Sequence, residues 1–181
     1  MVEFCHSAQA EAIAAFHMPR YDELPTLHLY LDQVLETLVQ IFTPLFGDNS
    51  HEKWITPSMV GNYAKQGIMP RPIGKRYGRE HMAHLIYICL AKHVLTVNDA
   101  RVFMGLLSTT TLEHAYNVLC EEMEYALHET FHLEPLPQPE LNPNNLEAAR
   151  ALHAFVFSLA HKLYIAHYLR YLSTEGASDT Q

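Results

Sequence analysis

The stretch Ile55-Thr56-Pro57-Ser58-Met59-Val60-Gly61-Asn62-Tyr63-Ala64-Lys65-Gln66-Gly67-Ile68-Met69-Pro70-Arg71-Pro72-Ile73-Gly74-Lys75-Arg76-Tyr77-Gly78-Arg79 decides how this chain folds. Thr56 is a favoured N-cap and Pro57 is at home at the first helical position. Gly67, after Lys65-Gln66, supplies a left-handed stop, which predicts a helix of about three turns over 57–66. With successive residues about 100° apart, Met59, Val60, Tyr63 and Ala64 share one side of it. Ser58, Gly61, Asn62 and Lys65 share the other, with Gln66 at its edge. The first side is a core stripe. The second carries short or flexible hydrogen-bonding groups of the type that read base edges and phosphates, and Gly61 permits close approach. Pro70, Pro72 and Gly74 then predict an extended loop or small β-ribbon.

Working outward, helix dominates. Leu27 to Phe46 carries Leu27, Leu31, Val34, Leu35, Leu38, Phe42 and Leu45 at helical spacing, and Gly47-Asp48-Asn49-Ser50 ends it. Upstream, Ala8 to His17 predicts a short Ala-rich helix, followed by a turn through Arg20 to Pro25. Arg79 to His93 resumes helix with Met82, Leu85, Ile86 and Cys89 inward. Thr96 with Asp99, and Thr110 with Glu113, have the spacing of capping boxes for helices over 96–107 and 110–132. A proline-rich linker, 135–143, separates these from a last helix near 145–172. The predicted organisation is an N-terminal helix and turn (1–26), a core (27–107), a C-terminal helical hairpin (108–173) and a disordered tail (174–181).

Composition agrees and narrows the classes. With 49% hydrophobic residues, the bulk of the chain is not disordered. Only seven glycines argue against an all-β sandwich or barrel. Cys5, Cys89 and Cys120 are scattered and odd in number, which fits a reducing cytosol. No signal peptide is expected in the acidic opening segment. The most apolar stretch, Ala151 to Leu172, holds five basic or imidazole side chains and predicts a core helix, not a membrane span.

The net charge of −8 argues at first against a nucleic-acid partner. Its distribution argues the other way. Residues 51–79 hold six basic side chains (Lys53, Lys65, Arg71, Lys75, Arg76, Arg79) against Glu52, a local charge of +5 that leaves −13 elsewhere. Half of the basic residues thus fall in about a sixth of the chain, as a focused anion-binding surface requires. A long helix, a short sharply capped helix, a basic Pro/Gly ribbon and a further helix is also the order of parts in a winged helix-turn-helix. An acidic protein partner would suit the same surface.

The run from Ile55 to Pro70, then Lys75-Arg76-Tyr77 and Arg79-Glu80-His81, resembles a bacterial family described as a domain of unknown function, number eighteen thirty-six. Pro19 to Pro25 and Leu29 to Val34 share the likeness, which covers about residues 18–107. That family is similar to the DNA-binding half of MerR-type regulators. Tyr63 matches the recognition-helix aromatic of those proteins, Gly67-Ile68 their Gly-Leu, and Lys75-Arg76-Tyr77 their basic-basic-aromatic wing. Two departures are plain: Gly61 stands where MerR proteins usually have Arg, and Gly47 to Lys53 intervenes where they have a tight turn. The resemblance implies a DNA-binding regulator.

Rival signals are weaker. His128-Glu129-Thr130-Phe131-His132 matches the zinc-protease pattern H-E-x-x-H, with Glu147 as a conceivable third ligand, but a His-rich chain produces such matches by chance, and this one precedes a proline-rich segment. His81, His84, His153, His161 and His167 read as hydrogen-bonded helix residues before they read as ligands. No phosphate-binding glycine loop or nucleophile elbow occurs. The aromatic-rich hairpin (Met123, Tyr125, Phe155, Phe157, Tyr164, Tyr168, Tyr171) suits packing on residues 1–107, a homodimer interface, or a pocket for a small-molecule effector.

The sequence therefore predicts an all-α, or mostly α, protein with a MerR-like winged helix-turn-helix core and a C-terminal helical hairpin. It is expected to be a cytoplasmic, homodimeric regulator of transcription that binds double-stranded DNA, with no catalysis, cofactor, metal or membrane role. Ser58, Asn62, Lys65 and Gln66 are expected to face the groove, with Arg71, Lys75, Arg76 and Arg79 on phosphates. Tyr63 and Tyr77 are expected on the core side. The alternative is a non-catalytic adaptor using the same surface on an acidic protein.

Overall fold

The computed structural model describes residues 3–47, 55–107, 110–132 and 146–178. Among these the protein is mostly helical, with seven α-helices: α1 (Ala8–Ala14), α2 (Leu31–Phe46), α3 (Pro57–Lys65), α4 (Arg79–Ala91), α5 (Val97–Leu107), α6 (Leu112–Phe131) and α7 (Leu146–Ser178). The all-α expectation holds. The linkers at 48–54 and 133–145, with Glu52 and Lys53, lie outside the described residues. No helix among those described is long and apolar enough to cross a membrane.

The chain forms two compact units: Met18–Cys120, and Met1–His17 together with Glu121–Gln181. In the first, α4 is the central element. Its residues from His81 to Ala91 are buried with the exception of half-buried His84, because almost no position on that run is charged. Val34, Leu38, Phe42 and Leu45 of α2 and Val60 and Tyr63 of α3 complete this core. A fully buried side chain such as Val60 contributes about 1.5–3 kcal/mol.

The second unit is held by aromatic and aliphatic packing. Phe4 lies with its ring 5.4 Å from Tyr164, 5.6 Å from Tyr168 and 5.4 Å from Tyr171 of α7. Met123, Leu127 and Phe131 of α6 are buried in this unit, as are Leu152, Val156 and Leu159 of α7. Buried His167 accepts a 2.9 Å hydrogen bond from the Gln9 amide, and buried Glu122 takes one of 3.3 Å from His153.

Several element ends differ from those expected. α1 stops at Ala14, short of His17. α2 starts at Leu31, not Leu27, because Leu29 is drawn into an antiparallel bridge with Tyr77, each N–H donating to the other's carbonyl at 2.9 Å. The first turn of α2 is instead closed by the Gln33 side chain, which accepts from the Tyr30 N–H at 2.9 Å. At α6 the capping hydroxyl is Thr111, accepting from His114 N–H at 3.3 Å, one residue later than the Thr110 expected. α7 continues past Leu172 to Ser178.

Candidate nucleic-acid interface

The short helix α3 is built as its sequence dictates. The Thr56 hydroxyl accepts the Met59 N–H at 3.3 Å, and Pro57 occupies the first helical turn. At the other end Gly67 has φ of +71°, the Ile68 N–H donates to the Tyr63 carbonyl at 3.0 Å, and the Gly67 N–H reaches the Ala64 carbonyl at 3.4 Å. This pair of bonds is the Schellman stop that a glycine at that position permits.

The two faces of α3 separate as the periodicity requires. Val60 and Tyr63 are buried, with Met59 and Ala64 half-buried beside them. Burial raises the Tyr63 phenol above its ordinary pKa, as it does that of Tyr77, so both rings stay neutral and serve the core. Ser58, Asn62, Lys65 and Gln66 are exposed, and none of their side chains hydrogen-bonds within the described chain. Gly61 is flanked by open space: a β-carbon there meets no atom within 4 Å.

The following ribbon is a two-residue hairpin. Ile73 and Arg76 bridge antiparallel, the Arg76 N–H donates to the Ile73 carbonyl at 3.0 Å, and the two residues between, Gly74 and Lys75, have φ of +58° and +61°. Positive φ at both central positions defines a type I′ turn, whose twist matches that of paired strands. The turn places Lys75 at the tip, exposed, with Arg71 exposed at the base.

The two remaining arginines are engaged by the chain itself. Arg76 donates to the Tyr30 hydroxyl at 2.7 Å and to the His28 carbonyl at 3.3 Å, with its guanidinium 4.0 Å from the Tyr30 ring centre. Half-buried Arg79 donates to the Leu24 carbonyl and the Asp22 carbonyl, both at 3.2 Å. The structure thus brings six of the eight expected contact residues, Ser58, Asn62, Lys65, Gln66, Arg71 and Lys75, to α3 and its ribbon, with side chains that no described residue engages. It commits Arg76 and Arg79 to fixing the ribbon and the start of α4.

Tyr30 as an anchor escaped the sequence reading, which gave His81 as a hydrogen-bonded helix residue without its partners. Tyr30 anchors Arg76. Buried His81 accepts the Gly78 N–H at Nδ1 (3.1 Å), which leaves the proton on Nε2 to donate to the Arg71 carbonyl at 3.3 Å. One imidazole therefore ties the base of the ribbon to the first turn of α4. The only sequence signal for it is a His at the third position of a helix opened by Gly78.

The H-E-x-x-H segment lies at the far end of α6. The His128 and His132 rings stack with centres 4.9 Å apart, His132 falls beyond the helix end, and Glu147 is exposed on α7. Among the described residues the one group of three metal-ligating side chains within mutual reach is Glu3, Cys5 and His6.

The family described as Domain of unknown function (DUF1836) matches residues 19–125, more than half of the chain, and the protein belongs to that family. No curated protein and no solved structure matches it.

Proposed function

We propose that this member of the family is a cytoplasmic regulator of transcription that reads double-stranded DNA through a MerR-like winged helix-turn-helix. Helix α3 enters the major groove with Ser58, Asn62, Lys65 and Gln66 toward base edges and phosphates. The ribbon lies along the backbone with Arg71 and Lys75, and Arg76 adds those guanidinium donors that Tyr30 and His28 leave over. The supporting observation is that Ser58, Asn62, Lys65 and Gln66 form one exposed polar face, uncommitted among the described residues, on a helix whose opposite face is buried core. Base readout needs a rigid mount with free donors and acceptors, and a doubly capped helix supplies one. The chain is read as a homodimer because such modules read paired half-sites. It carries no catalytic role in this reading.

Selection of fragments from the source genome at low salt, with the purified chain as bait, tests the proposal. Enrichment of a common sequence supports it. Recovery of no enriched sequence ends the specific-regulator reading. A second reading, an adaptor for an acidic protein, draws on bare apolar side chains beside the ribbon: Ile73 is 83% exposed and Leu27 78%. Retention of an acidic protein on the chain, with no DNA retained, favours it.

A further inference from the structure

A half-enclosed cavity of about 290 Å³ lies within the Met18–Cys120 unit. Its walls come from α4 (Glu80, Ala83, His84, Tyr87), α5 (Met104) and the first turns of α6. Leu112, Ala115 and Leu119 make the α6 wall apolar, and Tyr116 adds an aromatic ring.

The polar side chains of the lining share one property. Tyr87 spends its hydroxyl proton on the Ala100 carbonyl at 2.7 Å, and Tyr116 spends its own on the Pro19 carbonyl at 2.9 Å. The Thr110 hydroxyl donates to the Thr111 carbonyl at 3.3 Å. His84 Nδ1 lies 2.8 Å from the Glu80 carbonyl, which only accepts, so Nδ1 carries a proton and, in the neutral ring, Nε2 is left as an acceptor. Glu80 contributes a carboxylate, and among the described residues no Lys or Arg lines the cavity. What these side chains still offer a guest is therefore acceptors alone, beside aromatic rings and an aliphatic wall.

We propose that this cavity is a binding site for a small organic amine: an ammonium group held by Glu80 and His84, with a compact apolar body against Met104, Leu112 and Leu119. Each partner matches. An ammonium carries three donors and no acceptor, its charge complements Glu80, and aromatic faces favour a cation. An anionic guest would meet a carboxylate and no donor. The size suits one ring with a short chain, at the lower edge of small-molecule pockets. The site stands on its own lining and does not depend on the duplex reading. It shares α4 with His81 and Arg79, which hold the ribbon.

Calorimetric titration of the full chain with phenethylamine tests it. Saturable binding is expected. The opposite charge on a similar body, 3-phenylpropionate, is expected not to bind. Glu80→Gln, at an exposed position that tolerates the change, is expected to lower amine affinity about tenfold and to leave 2-phenylethanol unaffected. Ala115→Leu, which fills the apolar end, is expected to weaken both. Three results overturn the proposal: no saturable heat from phenethylamine at millimolar concentration, 3-phenylpropionate bound as tightly as the amine, or amine binding unmoved by Glu80→Gln.

Discussion

Asn62 and Gly61 sit side by side on the exposed face of α3 and are expected to do opposite things. Asn62 has a side chain that both donates and accepts and that none of the described residues engages. Bidentate recognition of an adenine edge uses that pair of groups. Asn62→Ala is therefore expected to leave stability within about 0.5 kcal/mol of the parent and to flatten sequence preference by about 1–3 kcal/mol, read from competition between selected and scrambled duplexes. Gly61 lies inside a helix, where glycine costs about 0.5–1 kcal/mol relative to alanine. A β-carbon at 61 meets no atom of the described residues within 4 Å. Gly61→Ala is thus expected to raise the melting temperature while lowering duplex affinity, because the methyl group keeps the helix from its closest approach. A variant that gains both stability and affinity would show that nothing approaches α3 at that point.

At the scale of the element, the basic ribbon separates charge from fold. Lys75 holds a left-handed φ of +61° at the tip of the type I′ turn, a conformation that asparagine tolerates better than other non-glycine residues. Lys75→Asn is expected to keep the hairpin and reduce the slope of log affinity against log salt by about 0.9, the value of one phosphate. Replacing Arg76 is a poorer test, since it also removes the contacts to Tyr30 and His28. His81→Leu addresses the support of the ribbon. It strands the Gly78 N–H and the Arg71 carbonyl and is expected to cost about 1–3 kcal/mol in chemical denaturation. The same element shows what a sequence discloses. The limits of α3 were legible because Thr56, Pro57 and Gly67 act on backbone groups within a few residues of themselves. The division of its faces followed from periodicity alone. The start of α2 was not legible: Leu27 and Leu31 have helical spacing, but Leu29 is claimed by Tyr77, far along the chain. The engagement of Arg76 by Tyr30, and of Arg79 by the carbonyls of Asp22 and Leu24, was hidden for the same reason. The turn itself was obscured because Gly-Lys is not among the dipeptides that announce a type I′ hairpin.

Over the whole molecule, the family match at 19–125 nearly coincides with the compact unit Met18–Cys120, so the shared sequence signature describes one packed body. That unit also contains three buried side chains that ionise only at alkaline pH. Burial pushes the Cys89 thiol up to about 12 and also raises the phenols of Tyr87 and Tyr116, with the neighbouring Cys120 adding to the shift at Tyr116. Each of these groups is held in its neutral form by the fold and ionises in the unfolded chain near its ordinary value, about 10 for tyrosine. The unfolded state therefore releases protons first as pH rises. The stabilisation is lost progressively as pH rises, from about 9 for the Cys89 thiol and from about 10 for the two phenols, toward the raised folded values. Tyr116 is the decisive probe because its hydroxyl also donates to the Pro19 carbonyl. Tyr116→Phe removes that bond and is expected to lower stability at neutral pH by about 1 kcal/mol. It also removes one ionisation, so its melting temperature is expected to decline less steeply than the parent's above pH ~10, and the two curves should converge. Denaturation followed from neutral to alkaline pH measures both. Parallel curves would mean that Tyr116 ionises as readily in the folded protein as in the unfolded chain, and that the seal over this core is open to water.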